Sequence, residues 1–230
     1  MPSAEVLSWV RTRFMPHIWC PGCGHGIIMH ALIRALVALK KERSNTVLAS
    51  GIGCSSRMAG YINACTLHST HGRSLAFATG IKLHRPELTV VDVMGDGDCT
   101  AIGGNHFIHA CRRNIDITAI VMNNNIYGMT GGQASPTTPI GAWASTTPYG
   151  AIDPAFDICK LAEGAGASYV ARTTIANPRQ AETYITNGIK KKGFSVVEVV
   201  THCHTQFGRK NNRRLPIENY NFFKEASIPL

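Results

Sequence analysis

The sequence predicts an α/β domain built on a mostly parallel sheet with helices on both faces. Short apolar segments typical of buried strands alternate with segments of helical periodicity along most of the chain. Strands that are apolar on both sides need helices on both sides, as in parallel α/β folds. The 230 residues, 44% of them hydrophobic, suffice for one buried core. We therefore expect a single domain over residues 1–230, with residues 210–230 forming an exposed C-terminal arm.

The predicted elements follow one another in a regular order. Apolar residues recur every three or four positions over residues 27–39, which predicts the first helix. The later elements are a strand at 46–49, a helix near 74–84, a strand at 88–94, a helix near 101–113, a strand at 117–122, a helix near 156–165, a strand at 168–171, a helix near 178–191 and a strand at 194–200.

Clusters of glycine, cysteine, asparagine and histidine follow the predicted strands. They lie at residues 51–54, 95–98, 123–125 and 202–204. In open α/β sheets, ligands bind in the crevice beyond the carboxyl ends of the strands. The clusters therefore predict a ligand site at that edge.

Composition and charge limit the classes of protein to be considered. The formal net charge of +9 is typical of proteins with acidic partners, most often nucleic acid or a membrane surface. No apolar segment is long enough to span a membrane, and no N-terminal segment resembles a secretory signal. The eight cysteines are therefore expected to be reduced, in the cytoplasm.

The residues at 95–98 and Asn124 suggest a site for a diphosphate bound through Mg²⁺. Asp96 and Asn124 offer hard oxygen ligands from neighbouring strand ends, and the glycines beside Asp96 let the backbone approach an anion closely. A helix beginning near residue 101 would place its N-terminus at the phosphate. The alternative is a pair of ordinary strand-to-helix turns, in which glycine and asparagine are common.

Two groups of cysteines are distinguished by their surroundings. Cys20 and Cys23 form a Cys-x-x-Cys knuckle, and Cys54 and Cys203 each follow a predicted strand. Their spacing leaves zinc, a redox dithiol and an iron–sulfur cluster open. The other four cysteines are expected to be small buried hydrophobic residues: Cys65, Cys99, Cys111 and Cys159.

Longer motifs resemble one family. The segment GDG at 95–97, followed by NN at 123–124, resembles the thiamine diphosphate signature. NNNIYGMTGGQ at 123–133, SPTT at 135–138, WCPGCGHG at 19–26, GNH at 104–106 and RRN at 112–114 are similar to the β subunits of 2-oxoacid:ferredoxin oxidoreductases. The similarity runs from about residue 16 to residue 209, and the 2-oxoglutarate-type members are the most similar.

The resemblance implies a thiamine diphosphate-binding domain with three cofactors, each assigned to particular residues. Mg²⁺ would be held by Asp96, Asn124 and the backbone oxygen of Ile126. The diphosphate would be lined by Gly97, Asp98, Gly128 and Met129, and the thiamine by Ile52, Gly53, Cys54 and Ser55. His71 would stand near the thiazolium and the substrate as a catalytic residue. One [4Fe–4S] cluster would be bound by Cys20, Cys23, Cys54 and Cys203. The chain differs from relatives at Gly131, where some carry lysine, and at His204, where proline is usual.

The resemblance also implies a reaction and a set of partners. A 2-oxoacid, CoA and oxidised ferredoxin would give acyl-CoA, CO₂ and reduced ferredoxin. No segment resembles a pyrimidine-binding domain, so an α subunit would supply that domain and its glutamate, together with further small subunits in a hetero-oligomer. The positive charge would then serve acidic ferredoxin, with Lys210, Arg213 and Arg214 as candidates for part of a basic face.

Other functions remain open at this point. The substrate could be a branched-chain 2-oxoacid or pyruvate instead of 2-oxoglutarate. A non-redox thiamine decarboxylase or synthase would not need the four clustered cysteines. A basic zinc-binding nucleic-acid module would explain the charge and the Cys-x-x-Cys knuckle, but no reading helix or aromatic platform is recognisable, so we expect no nucleic-acid partner.

Overall fold

A parallel β-sheet organises the chain, which the computed structural model describes from residue 3 to residue 228. The strands are β1 (Thr46–Ser50), β2 (Cys65–His68), β3 (Thr89–Gly95), β4 (Thr118–Asn123), β5 (Ile126–Tyr127), β6 (Gln133–Ala134), β7 (Tyr169–Thr174) and β8 (Ser195–Val200). Six of them form the sheet in the order β2-β1-β3-β4-β8-β7, and every pairing is parallel. The two short strands β5 and β6 form a separate antiparallel hairpin.

Helices cover both faces of the sheet. They are α1 (Ala4–Ser8), α2 (His25–Ala38), α3 (Met58–Tyr61), α4 (Ser74–His84), α5 (Asp96–Thr100), α6 (Gly104–Arg113), α7 (Ile158–Gly164), α8 (Pro178–Lys190) and α9 (Pro216–Ala226). On β3, Val91 and Val93 pack into the same core as α2 and α8, whereas Val90 and Met94 face the opposite core with α4, α6 and α7. The alternation follows from the two-residue period of a strand. The predicted fold class is confirmed.

Two local differences from the prediction have physical reasons. The helix expected near residue 101 is two helices, since α5 begins at Asp96 and α6 begins at Gly104. Between them the chain turns so tightly that a Cβ atom at Gly103 would lie 2.2 Å from the carbonyl oxygen of Asp98. The strand β2 was not predicted. It lies at the edge of the sheet and none of its residues is fully buried, so its sequence shows no apolar segment.

The four cysteines that were expected to be buried differ from one another. Cys99 and Cys111 are buried, and Cys159 is half-buried with its thiol 3.3 Å from a carboxylate oxygen of Glu198. Cys65 is exposed, so the prediction was wrong for this residue. It begins the edge strand β2, where one side of the strand has no neighbour.

Beyond Arg209 the chain forms α9, most of whose side chains are exposed. Asn219 is buried and donates to the carbonyl oxygens of Arg213 and Leu215. Within residues 3–228, no helix is both long and apolar enough to cross a membrane.

Candidate functional site

A cavity of about 230 Å³ lies at the carboxyl edge of the sheet. The parallel strands β1, β3 and β4 all end at this edge, so the loops that follow them meet there. Every residue that the sequence suggested for the thiamine, the diphosphate or Mg²⁺ lines this cavity: Ile52, Gly53, Cys54, Ser55, His71, Asp96, Gly97, Asp98, Asn124, Ile126, Gly128 and Met129. The structure thus brings the predicted positions together; their individual roles remain predictions.

Two glycines of the cavity wall lie directly against other side chains. A Cβ atom at Gly97 would lie 2.2 Å from Cε1 of Tyr127, a distance that real side chains do not show. A Cβ atom at Gly128 would lie 3.2 Å from Sγ of Cys203 and 3.9 Å from Sγ of Cys54. A larger residue would have to displace the Tyr127 ring at Gly97 or the Cys203 sulfur at Gly128, so glycine lets these side chains pack closely against the backbone of the cavity wall.

Oxygen atoms of Asp96, Asn124 and Ile126 converge at one end of the cavity. The terminal amide atom of Asn124 that faces the other two lies 3.3 Å from Oδ1 of Asp96 and 2.7 Å from the carbonyl oxygen of Ile126. If the amide nitrogen of Asn124 occupies this position, it donates hydrogen bonds to both oxygens. With the amide oxygen there, three oxygens face one another and a cation between them would remove the repulsion. The donor set is the type that Mg²⁺ prefers.

Asp96 is held in place by a loop that follows the hairpin. The hydroxyls of Ser135 and Thr137 donate to its Oδ2 at 2.5 Å and 2.7 Å. Burial raises the pKa of Asp96, and these hydrogen bonds oppose that rise. Ser135 and Thr137 belong to the SPTT motif, but nothing in the sequence pattern indicated that they would contact Asp96.

The second cavity, of about 330 Å³, contains the four candidate cluster ligands. Cys20, Cys23, Cys54 and Cys203 all line it, although Cys203 is separated from Cys20 by most of the chain. The hydroxyl of Thr205 lies 3.4 Å from Sγ of Cys203 and 3.9 Å from Sγ of Cys20. Burial raises the pKa of Cys23 to about 12 and that of Cys54 to about 11, and the neighbouring cysteines add to both increases. Thiolates in this cavity therefore need a cationic centre.

The spacing of the sulfur atoms distinguishes between the candidate centres. A tetrahedral zinc site has Zn–S distances of about 2.3 Å, which places its sulfurs roughly 4 Å apart. Among residues 3–228, one group of three potential ligand atoms lies within 4.8 Å of one another, and it consists of Asp157, Cys159 and Glu198. No three of the four cysteines are therefore that close. Arg172 already pairs with both carboxylates of that other group. The four sulfur atoms are therefore not arranged as a tetrahedral zinc site.

The two cavities share a wall. His25, Cys54, Asn124, Gly128 and Met129 line both of them. His25 is almost completely buried, and the sequence pattern indicated no role for it although it lies in the WCPGCGHG motif. A ligand in the first cavity and a metal centre in the second would thus be separated by single side chains.

Comparisons with known proteins agree with this geometry. Residues 51–199 match the sequence model of the family described as "Thiamine pyrophosphate enzyme, C-terminal TPP binding domain". The 2-oxoglutarate synthase subunit KorB of Archaeoglobus fulgidus is 60% identical over 227 residues, which are 99% of this chain and 85% of that protein. KorB of Methanocaldococcus jannaschii is 55% identical over 225 residues, 98% of this chain and 83% of that protein.

A solved structure is also similar over the whole chain. It is the 2-oxoglutarate:ferredoxin oxidoreductase from Magnetococcus marinus with 2-oxoglutarate, coenzyme A and succinyl-CoA bound. The similarity covers 100% of this chain and 76% of the other, with a TM-score of 0.90 and 34% sequence identity.

Proposed function

The chain belongs to the thiamine diphosphate-binding β subunits of 2-oxoacid:ferredoxin oxidoreductases, and we propose that it is the β subunit of a 2-oxoglutarate synthase. The complete enzyme converts 2-oxoglutarate and CoA into succinyl-CoA and CO₂, and two electrons pass to ferredoxin. The observation that carries this proposal is the shared wall between the thiamine cavity and the four-cysteine cavity.

We assign the residues of the first cavity to thiamine diphosphate and Mg²⁺. Asp96, Asn124 and the carbonyl oxygen of Ile126 would hold the metal ion, because these three groups meet at one point and Asp96 is buried and held by two hydroxyls. Gly97, Gly128 and Met129 would surround the diphosphate, and residues 52–55 the thiamine. When bound, thiamine diphosphate adds to the keto carbon and accepts the electrons that decarboxylation releases.

We assign Cys20, Cys23, Cys54 and Cys203 to one [4Fe–4S] cluster. Two features support this ligand set: the four cysteines line one cavity, and no three of their sulfurs lie within 4.8 Å of one another, as a tetrahedral zinc site would place them. A cluster at this place would lie next to the cofactor cavity, which suits transfer of single electrons. Reduced thiols also agree with the expected cytoplasmic location, which remains a prediction.

The second half of the active site would come from an α subunit. Among the residues that line the first cavity, the acidic ones are Asp96 and Asp98. Both already accept hydrogen bonds from this chain, so neither is free to serve a thiamine pyrimidine ring. A glutamate from the α subunit would fill that role, and CoA and ferredoxin would bind to the assembled enzyme.

Co-expression with the α subunit tests the reaction. The purified complex should reduce a viologen dye only when CoA is present, and faster with 2-oxoglutarate than with pyruvate or branched-chain 2-oxoacids. The β chain alone, reconstituted with thiamine diphosphate, should be inactive. Full turnover by the isolated chain would refute the division of the site between two subunits.

Anaerobic purification tests the cluster. We expect a brown protein with about four iron and four sulfide ions per chain. Cys54→Ser should lose the colour, whereas Cys65→Ser, the same change at an exposed cysteine outside the cavity, should keep it. A colourless protein that retains thiamine-dependent decarboxylation would instead indicate a non-redox thiamine enzyme, and one that binds stoichiometric zinc would contradict the assignment.

A further inference from the structure

Asp98 is a buried carboxylate that contacts residues of two loops. Its side chain is 2% exposed. Oδ1 accepts the backbone N–H of Gly72 at 2.6 Å and that of Ile52 at 3.4 Å, and it lies 2.8 Å from Nδ1 of His71. One carboxylate oxygen therefore connects the loop after β1 with the loop after β2. These contacts suggest a role different from the lining of a diphosphate, which carries the same sign of charge.

Two acceptors determine the tautomer of His71. Besides Asp98, Nδ1 also lies 3.2 Å from the carbonyl oxygen of Ile52. A carbonyl oxygen and a carboxylate can only accept, so Nδ1 must carry the hydrogen. The neutral ring then has its lone pair on Nε2.

The His71 ring borders the first cavity, with Nδ1 turned to Asp98 and Ile52 and Nε2 as its remaining nitrogen. His71 lines this cavity, its side chain is 35% exposed, and its ring meets that of Tyr127 edge-on at 6.1 Å between centroids. The hydroxyl of Tyr127 contacts the carbonyl oxygen of Gly97, which keeps the aromatic ring beside His71. Nε2 is thus the ring atom that a substrate in the cavity can reach.

Two glycines make room for this arrangement. A Cβ atom at Gly51 would lie 2.2 Å from Oδ2 of Asp98. Gly72 has a φ angle of +68°, and a Cβ atom there would lie 2.3 Å from Cγ2 of Ile102. Since side chains at either position would displace the carboxylate or the loop, the sequence is adapted to the contact between Asp98 and His71.

We propose that Asp98 is a positioning residue that keeps a hydrogen on Nδ1 of His71, so that the lone pair of Nε2 is turned towards the substrate oxygen that must lose a proton when the acyl product forms. The proposal rests on the proposed function. The keto oxygen would take up a proton from solvent when it becomes a hydroxyl group, and the lone pair on Nε2 would accept that proton when the carbonyl of the acyl product forms. The protonated ring would then return the proton to solvent. The carboxylate of Asp98 offsets the charge of the protonated ring, as in other carboxylate–histidine pairs.

A double-mutant cycle in the assembled α/β enzyme tests this role. His71→Ala should lower kcat about 100-fold, the typical effect of losing a proton-transferring group. Asp98→Asn keeps an oxygen for the N–H groups of Gly72 and Ile52 but removes the charge, and should lower kcat about 10-fold. Because Asp98 acts through His71, adding Asp98→Asn to His71→Ala should cause no further loss.

Cofactor binding separates positioning from a structural role. Asp98→Asn should leave the affinity for thiamine diphosphate and the KM for 2-oxoglutarate within about twofold of the wild type, while kcat falls. If Asp98→Asn lowers kcat by the same factor with and without His71, Asp98 is not a positioning residue for His71. The same holds if Asp98→Asn weakens cofactor binding by as large a factor as it lowers kcat. A wild-type complex that binds no thiamine diphosphate would instead overturn the proposed function.

A second variant covers the case in which Asp98→Asn does not assemble. His71→Asn keeps a polar group next to Asp98 but presents nothing at the position of Nε2. Its kcat should be as low as that of His71→Ala, with unchanged thermal stability of the complex. Wild-type turnover by His71→Asn would overturn the proposal.

Discussion

The Nδ1 atom of His25 lies 3.0 Å from the Sγ atom of Cys23, and the imidazole is buried in the wall between the two cavities. Burial lowers the pKa of His25 to about 4, and the nearby His202 adds to this effect. The ring is therefore neutral at physiological pH and can donate its Nδ1–H to a thiolate at Cys23. Trp19 packs against the ring at 5.8 Å between centroids, which fixes its orientation.

We predict that His25→Phe makes the midpoint potential of the proposed cluster more negative. Phenylalanine keeps a ring in the buried space but removes the N–H donor, and hydrogen bonds to cluster sulfurs are among the features that set the potential. A redox titration of the anaerobic complex, followed by electron paramagnetic resonance, measures the shift. His30→Phe, the same change at an exposed position of α2, should leave the potential unchanged. Equal potentials in His25→Phe and wild type would exclude this role for His25.

We predict that Asp96→Asn weakens thiamine diphosphate binding about 10- to 100-fold, because it removes the charged ligand of the proposed Mg²⁺ site. Asp92 provides a matched control on β3, four residues earlier. It is fully buried, and burial raises its pKa well above the usual range, with Ser74 opposing this shift and Asp98 adding to it. Because burial favours the neutral carboxyl group at Asp92, replacing it by the neutral amide in Asp92→Asn should change the affinity less than about twofold.

Calorimetric titrations with thiamine diphosphate, in the presence of Mg²⁺ or of a chelator, compare the two variants. The chelator should reduce the wild-type affinity to that of Asp96→Asn. If Asp96→Asn keeps both the affinity and its dependence on Mg²⁺, the metal assignment is incorrect.

The position of the site was predictable because it depends on strand order and chain direction. Strands β3, β4 and β8 are buried on both faces, so their apolar sequences reveal them. Once the strands are parallel, the residues that follow them must meet at one edge. The edge strand β2 has a mixed pattern and was missed, and the hairpin formed by β5 and β6 is too short to show any period.

The contacts within the site were not predictable, because they join residues that are distant along the chain. Ser135 reaches Asp96 across 39 residues, and Thr205 reaches Cys20 across 185. No local periodicity encodes such contacts. Asp98 is a further example. Its place in the diphosphate motif suggested that it lines the diphosphate, whereas its contacts with Gly72 and His71 suggest that it positions His71.

We predict that Gly97→Ala weakens thiamine diphosphate binding strongly, because the added Cβ atom would lie 2.2 Å from the ring of Tyr127 and both residues line the cavity. Gly80→Ala is the matched control. Gly80 lies in α4, and a Cβ atom there would meet no atom within 4 Å. Alanine is favoured over glycine inside a helix by about 0.5–1 kcal/mol, so this variant should bind normally and unfold at the same or a higher temperature. Normal cofactor affinity in Gly97→Ala would show that Tyr127 can move away without consequence.

The basic charge of the chain leads to a prediction about electron transfer to ferredoxin. Arg57 is exposed and lines the four-cysteine cavity, as do the exposed residues Ile18 and Cys20. Of the residues first expected on a basic face, Arg213 is half-buried, with its guanidinium carbon 4.0 Å from the centroid of the Phe222 ring. Among the residues that line the four-cysteine cavity, Arg57 is the one with a Lys or Arg side chain, so it is placed to meet an acidic partner there.

Arg57→Glu should raise the KM for ferredoxin several-fold at low ionic strength, because it replaces attraction by repulsion at the point of electron transfer. The difference from wild type should shrink above about 0.5 M salt, where screening shortens the range of the interaction to a few ångström. Lys40→Glu makes the same charge change beyond the far end of α2, about 20 Å from Cys23 along the helix, and should have little effect. Reduction of a small viologen dye should be equal in both variants, since it needs no protein docking. A KM that responds equally to both substitutions would show that net charge, rather than this surface, attracts ferredoxin.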